Sequence, residues 1–247
     1  MTSLKHKYTK LIASGLISAA LALSAGQGIA QSAEPVDTAE FDQQVREALL
    51  RNPEILLEVL ELLEQQQQAH EAKQDLDLVS AVADDLFEGV DLSKPVLVEF
   101  QDYNCGYCKR AHATVKQLRR GIPDLQLVIM ELPILGEGSI YSAEMALALK
   151  ELKGNDAYYE FSDALMSLET AADAPSVLKL LTDLGHNPDE IARAAQNGAG
   201  RADLEKSQRI ARRLKIGGTP TFVGPAGLMR GMASVEDLAA LSIQQDS

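Results

Sequence analysis

The sequence predicts an α/β domain interrupted by a helical insertion and preceded by a separate N-terminal helical segment. Three patterns predict it. An apolar run at Val96–Phe100 passes through a turn into helical periodicity and returns to a second apolar run at Leu125–Met130, a strand-helix-strand unit. Residues 141–212 then hold only helical patterns. Finally, Gly217-Gly218-Thr219-Pro220 opens a hairpin, Thr221–Val223 and Leu228–Gly231, with a last helix behind it.

Residues 1–30 stand outside that core. Lys5, Lys7 and Lys10 make a basic start, Leu11 to Ala25 is apolar, and Gly28-Ile29-Ala30 supplies small residues at the positions a signal peptidase inspects. This is the layout of a secretory signal cleaved after Ala30. The alternative, a retained anchor, suffers from an apolar run short of the ~20 residues of a spanning helix. Residues 31–36 read as a disordered lead, and Asp37 with Glu40 resembles a capping box. A helix follows from about Thr38 to Arg51. Asn52 is expected to cap a second helix, with Pro53 at its first position and Glu54 at the positive end of its dipole. That helix runs to about Lys73 and carries Ile55, Leu56, Leu57, Val59, Leu60, Leu62 and Leu63. So wide an apolar face needs a cover: the main domain, the partner helix of a hairpin, or a second copy of the chain. The polar stretch from Gln65 to Lys73 reads equally as helix or linker. The boundary of the main domain falls near residue 81, so that residues 31–80 form the helical segment with its linker and residues 81–247 the rest.

In the main domain, Val96–Phe100 is a buried strand, Cys105–Leu118 a helix, and Leu125–Met130 a strand ended by Leu132-Pro133. The insertion offers helices at Tyr141–Leu152, Ala157–Leu168, Ala174–Leu184, Pro188–Ala194 and Leu204–Leu214. Gly224-Pro225-Ala226-Gly227 is the hairpin turn, and Ser234 caps the last helix with Asp237 three residues on.

The chain has 247 residues, 46% of them hydrophobic, enough for one good core with an appendage or for two small domains. Its formal charge is −13, and loss of the signal with its three lysines and no acids takes it to −16. Such a chain lacks the clustered Lys and Arg that nucleic acid requires, and nothing draws it to anionic lipid.

Both cysteines lie in Cys105-Gly106-Tyr107-Cys108. In an exported protein, two cysteines three apart close too small a loop to act as a staple. At the start of a helix, unpaired N–H groups and the dipole stabilise a thiolate, and such sites bring a thiol pKa from ~8.5 into the ~3.5–7.5 range. Cys105 is therefore the expected nucleophile of a thiol–disulfide exchange. Cys108, one turn inside, is expected to be buried and to resolve the mixed disulfide. The redox-active disulfide would be the only cofactor. A metal reading also exists: His112 follows Cys108 by four, so the three could share a helix face and hold a soft metal such as Cu(I). No second Cys-x-x-Cys accompanies them, and no metal site is assigned. Gly106 and Tyr107 would tune the potential, with no histidine between the cysteines to make the pair strongly oxidising. Glu99 sits in an apolar strand six residues before Cys105. Buried, it would have a raised pKa and could exchange a proton with Cys108; by alternation it would simply face water. Thr219-Pro220 reads as a cis-proline leaving the Thr219 backbone free for an extended substrate, or as a trans-proline starting an edge strand.

Together these residues resemble the thioredoxin superfamily, and within it the DsbA-like branch. Cys105-Gly106-Tyr107-Cys108 resembles its active-site motif, Thr219-Pro220 its cis-proline motif, Glu99 its buried acid, and Glu131-Leu132-Pro133-Ile134-Leu135-Gly136 an internal block. With the leading helices, the chain is most similar to the ScsC and Com1 group. The resemblance implies a thioredoxin-like core, a periplasmic location, exported cysteine-containing proteins as substrates, and a membrane thiol reductase of the ScsB or DsbD kind as electron donor. It also implies a homotrimer joined through residues 37–75 that acts as disulfide isomerase or reductase. A monomeric dithiol oxidase is the alternative, and a copper-binding or chaperone-like oligomer a third reading.

Overall fold

The computed structural model describes residues 38–243. The expected signal at 1–30, the lead at 31–36 and the Asp37 cap lie outside the described residues. The chain divides into two units, residues 1–57 and 58–247.

In the first unit, helix α1 spans Thr38–Arg51 and α2 begins at Glu54. Asn52 does not cap α2 as expected. Its side-chain amide turns back and donates to the Ala48 carbonyl at 2.8 Å, satisfying an end of α1 instead. None of α1 is buried, and Phe41, Val45, Leu50, Ile55, Leu56 and Leu57 are exposed.

Helix α2 runs on to Ser80, so the stretch left open between helix and linker is helix. Gln, Glu and Lys are good helix formers, and side chains one turn apart bond there: Gln67 to Glu71 at 2.6 Å, Lys73 to Asp77 at 2.9 Å. Val59, Leu60, Leu62 and Leu63 of α2 are exposed, while Val79 at its end is buried. Asp75 accepts two hydrogen bonds from Arg230, at 2.8 and 2.9 Å, which fasten this end of α2 to the hairpin. A short helix the sequence did not announce, α3 (Ala83–Leu86), follows.

The sheet has the order β2-β1-β3-β4, with β1 (Val96–Gln101), β2 (Gln126–Glu131), β3 (Thr221–Gly224) and β4 (Gly227–Arg230). β1 pairs parallel with β2 and antiparallel with β3, and β3 pairs antiparallel with β4. Alternation along β1 sends its side chains to both faces. Val96, Val98 and Phe100 pack with Val79, Leu86, Ile210 and Leu214 on one side. Leu97 packs with Ala111, Val115, Leu118 and Leu238 on the other. The helices there are α4 (Gly106–Gly121) and α10 (Val235–Ser242), the latter opened by a Ser234/Asp237 capping box as expected. Gly224 ends β3 because α10 lies so close that a Cβ would meet the Leu241 carbonyl oxygen at 2.0 Å.

The insertion comprises α5 (Glu137–Lys153), α6 (Asn155–Met166), α7 (Ala174–Asp183), α8 (Pro188–Gln196) and α9 (Arg201–Arg213). It begins a turn earlier than residue 141, because Gly136 rather than a later residue breaks the chain before α5. Gly200, at φ +75, lets α9 start against α5, where a Cβ would strike Leu147 at 2.5 Å. The core of the insertion, with Leu149, Phe161, Leu165, Val177, Leu181 and Ile191 fully buried, also takes in Tyr103, Cys105 and Cys108. The insertion therefore packs against the end of β1 that carries the cysteines.

Candidate active site

β1 ends at Gln101, and the polar run Asp102-Tyr103-Asn104 carries the chain to α4. Asp102 fixes this turn. One carboxylate oxygen accepts from the Asn104 N–H at 2.8 Å and the Ser139 hydroxyl at 2.7 Å; the other accepts from the N–H groups of Ile134 and Leu135 at 2.8 and 3.1 Å. Asn104 in turn exchanges hydrogen bonds with the Ala172 backbone of the insertion, at 2.7 and 3.3 Å. Lys109 donates to the carbonyls of Leu168 and Thr170. The loop that presents the first cysteine is thus held from three directions.

Cys105 is the N-cap of α4 rather than its first helical residue. Its sulfur accepts the Cys108 N–H at 3.4 Å, and its S–H donates to the Thr219 carbonyl at 3.2 Å. Burial opposes ionisation of this thiol. Hydrogen bonds from the Thr219 side chain and from the N–H groups of Cys108 and Tyr107 outweigh it, leaving the pKa below that of an ordinary thiol. Cys108 is fully buried; burial and the neighbouring Cys105 sulfur push its thiol well up. The two sulfurs differ as an attacking and a resolving thiol should.

The Thr219–Pro220 peptide is cis. It leads into β3, which is flanked by β1 and β4 and is no edge strand. Gly106 and Tyr107 open α4, and Tyr107 is 58% exposed with the Arg110 guanidinium 4.3 Å over its ring. Beside Gly106 runs a groove of about 660 Å³ lined by Asn104, Leu135, Gly138, Thr170 and Ala172, among others, with Leu135 exposed. His112 lies 3.4 Å from Asp163 rather than with the cysteines. Among the described residues no three His, Cys, Asp or Glu side chains gather as a metal set.

Glu99 does not face water. It is 2% exposed, on the sheet face that α4 covers, and burial together with the charge of Glu131 pushes its pKa up to about 8. Glu131 itself was quoted in the sequence only as part of a block. In the fold it is fully buried and accepts from the Tyr103 hydroxyl at 2.5 Å, the Tyr158 hydroxyl at 2.6 Å and the Gln101 amide at 3.4 Å. Burial pushes it up to about 7 against these donors. Sequence reasoning missed Asp102, Asn104, Tyr103 and Tyr158. The polar run directly after an apolar strand was the available signal for the first three; Tyr158 had none.

Comparison with known proteins bears on this geometry. Residues 96–241 match the DSBA-like thioredoxin domain, and residues 37–70 match the "Copper resistance protein ScsC N-terminal domain". No curated protein matched the chain. Among solved structures, the thiol-disulfide exchange protein alpha-DsbA2 of Wolbachia pipientis is 26% identical, with a TM-score of 0.60 over 68% of this chain and 93% of that one. A thioredoxin-like oxidoreductase of Silicibacter pomeroyi is 34% identical, with a TM-score of 0.58 over 64% of this chain and 94% of that one. Proteus mirabilis ScsC, in a transitional conformation, is 26% identical, with a TM-score of 0.57 over 83% of this chain and 94% of that one. The chain belongs to the DsbA-like thioredoxin-domain family of thiol–disulfide oxidoreductases, joined to an N-terminal domain of the ScsC type.

Proposed function

We propose that the protein is a periplasmic disulfide isomerase and reductase of exported proteins, acting as a homo-oligomer through its N-terminal helices. Cys105 thiolate attacks one sulfur of a substrate disulfide. The new bond joins Cys105 to the substrate, and the other substrate sulfur leaves as thiolate. That thiolate can attack another disulfide of the same substrate, which isomerises it and frees Cys105. Otherwise the Cys108 sulfur attacks Cys105, its proton passes to Glu99 in its carboxylate form, and the substrate leaves reduced with a Cys105–Cys108 disulfide behind it. A membrane thiol reductase of the ScsB or DsbD kind would return two electrons. The substrate would lie across Gly106 and Tyr107 and bond the backbone at Thr219-Pro220 as an added strand.

The observation that carries the exchange chemistry is the contrast between the two sulfurs, one capped by the Cys108 N–H at a helix start and the other sealed beneath it. Self-association rests on the uncovered apolar residues of α1 and α2, Leu57 at 68% exposure among them, and on the ScsC-type match there. Several reactive thiols on one assembly would serve an isomerase, whereas a monomer with a strongly oxidising pair would be an oxidase. Molar mass by light scattering and refolding of a scrambled multi-disulfide protein test the reading together. A trimer that rescues the scrambled substrate, with rescue lost in Cys105→Ser, is expected. A monomer that oxidises dithiols without rescuing scrambled disulfides would overturn it.

A further inference from the structure

We propose that Glu131 is a positioning residue for the proton of Glu99: Glu131 carries the charge of a buried carboxyl pair, and Glu99 keeps the proton. The consequence for exchange rests on the relay reading of Glu99 above; the assignment of charge does not.

The sheet places the pair. Gln101 is in register with Glu131 across β1 and β2, and Glu99, two residues before Gln101, points to the same face. Both carboxyls are buried in the layer between the sheet and helices α4 and α6. Two negative charges in one dry layer oppose each other, so the pair ionises in two steps, and donors decide which group goes first. The donors are on Glu131. Its Oε1 accepts from Tyr103, Tyr158 and Gln101, an arrangement that favours the carboxylate. Its Oε2 is buried with no hydrogen-bond partner, so the carboxylate is held through Oε1 alone and its pKa still stands above the ordinary value.

The groups around Glu131 come from several elements. β1 supplies Glu99 and Gln101, and the loop before α4 supplies Asp102, which works against the charge, and Tyr103. α6 supplies Tyr158 and Ser162, the latter bonded to the Gln101 amide at 3.2 Å. α5 supplies Lys150, its Nζ 5.8 Å from the Tyr158 ring centre and bonded to Asp203 at 2.7 Å. The pKa of about 7 for Glu131 against about 8 for Glu99 runs in the same order. A protonated Glu99 can hand its proton to Cys108 when that sulfur is released from the disulfide, and recover it when Cys108 attacks.

The test is a carbon-detected NMR titration of the side-chain carboxyls in the reduced full chain. Glu131 should ionise before Glu99. In Glu131→Gln, whose amide oxygen still accepts from the tyrosines, the Glu99 midpoint should fall by about one pH unit as the neighbouring charge disappears. In Tyr158→Phe, which keeps the carboxylate but removes a donor, the two midpoints should draw together. Should Glu131→Gln fail to fold, Tyr158→Phe decides alone. Glu99 ionising first, or midpoints unmoved by these substitutions, overturns the assignment. A wholly structural Glu131 would lower thermal stability and leave the titration of Glu99 in place. The rate at which Cys108 resolves a mixed disulfide should track Glu99 to lower pH in Glu131→Gln. A shifted midpoint with an unshifted rate profile would keep the charge assignment and refute the relay.

Discussion

Replacing Glu99 with Gln should make the protein more stable, and only at pH values where the carboxyl is at odds with its surroundings. The side chain is buried, and its pKa stands near 8 against an ordinary 4.5. Below pH 4.5 the group is protonated whether the chain is folded or unfolded, and it costs nothing. As pH rises, the unfolded chain ionises first and gains, so folded stability falls until the folded group ionises as well near pH 8. At about 1.36 kcal/mol per pH unit, the cost approaches about 3 kcal/mol at pH 7 and about 5 kcal/mol above pH 8 as upper figures. Glu99→Gln has nearly the same shape and cannot ionise. Urea unfolding of both proteins, reduced, at pH 4, 7 and 9 reads the difference. The variant should gain nothing at about pH 4 and progressively more at about pH 7 and pH 9. A stability difference that does not change across that range would show that Glu99 is not a proton-bearing buried acid, and the relay would go with it.

Cys108→Ser should accumulate a mixed disulfide through Cys105, visible on a non-reducing gel as a species lost on reduction; free protein alone would contradict the division of labour between the sulfurs. Ser234→Ala removes the Ser half of the α10 capping box and should lower unfolding free energy by about 1 kcal/mol without altering exchange. Phe161→Ala empties the insertion core beside the cysteines and should lower unfolding free energy by about 3–5 kcal/mol, read by urea melting; a change below about 1 kcal/mol would mean that the site collapses. Asp75→Asn breaks the bidentate pair with Arg230 and should speed proteolytic cutting between residues 75 and 82, with unchanged cutting contradicting the fastening role.

The catalytic pair and the Thr-Pro turn were legible because each is a short local pattern: an apolar strand, a Cys-x-x-Cys, and two glycines before Thr219-Pro220. Contact of Cys105 with Thr219 is a long-range event that only the pairing of β1 with β3 creates, and the spacing carries no mark of it. Glu99 was ambiguous because a lone acid in a strand satisfies either a wet or a dry face, and α4 settles which. Glu131 and Tyr158 lie 27 residues apart in the chain, and their hydrogen bond leaves no local mark. At Asn52 two capping roles competed: the sequence pointed forward into α2, and the side chain bonded back to α1. The length of α2 was underestimated because a low-complexity polar run made of strong helix formers resembles a linker by composition alone.

All of the exchange chemistry depends on the acidity of the Cys105 sulfur. The pH dependence of alkylation of reduced Cys108→Ser by iodoacetamide measures it, since only the thiolate reacts. The rate should rise to its plateau with a midpoint below the ~8.5 of a free cysteine. A midpoint at or above that value would show that the start of α4 does not hold a thiolate and would contradict the account.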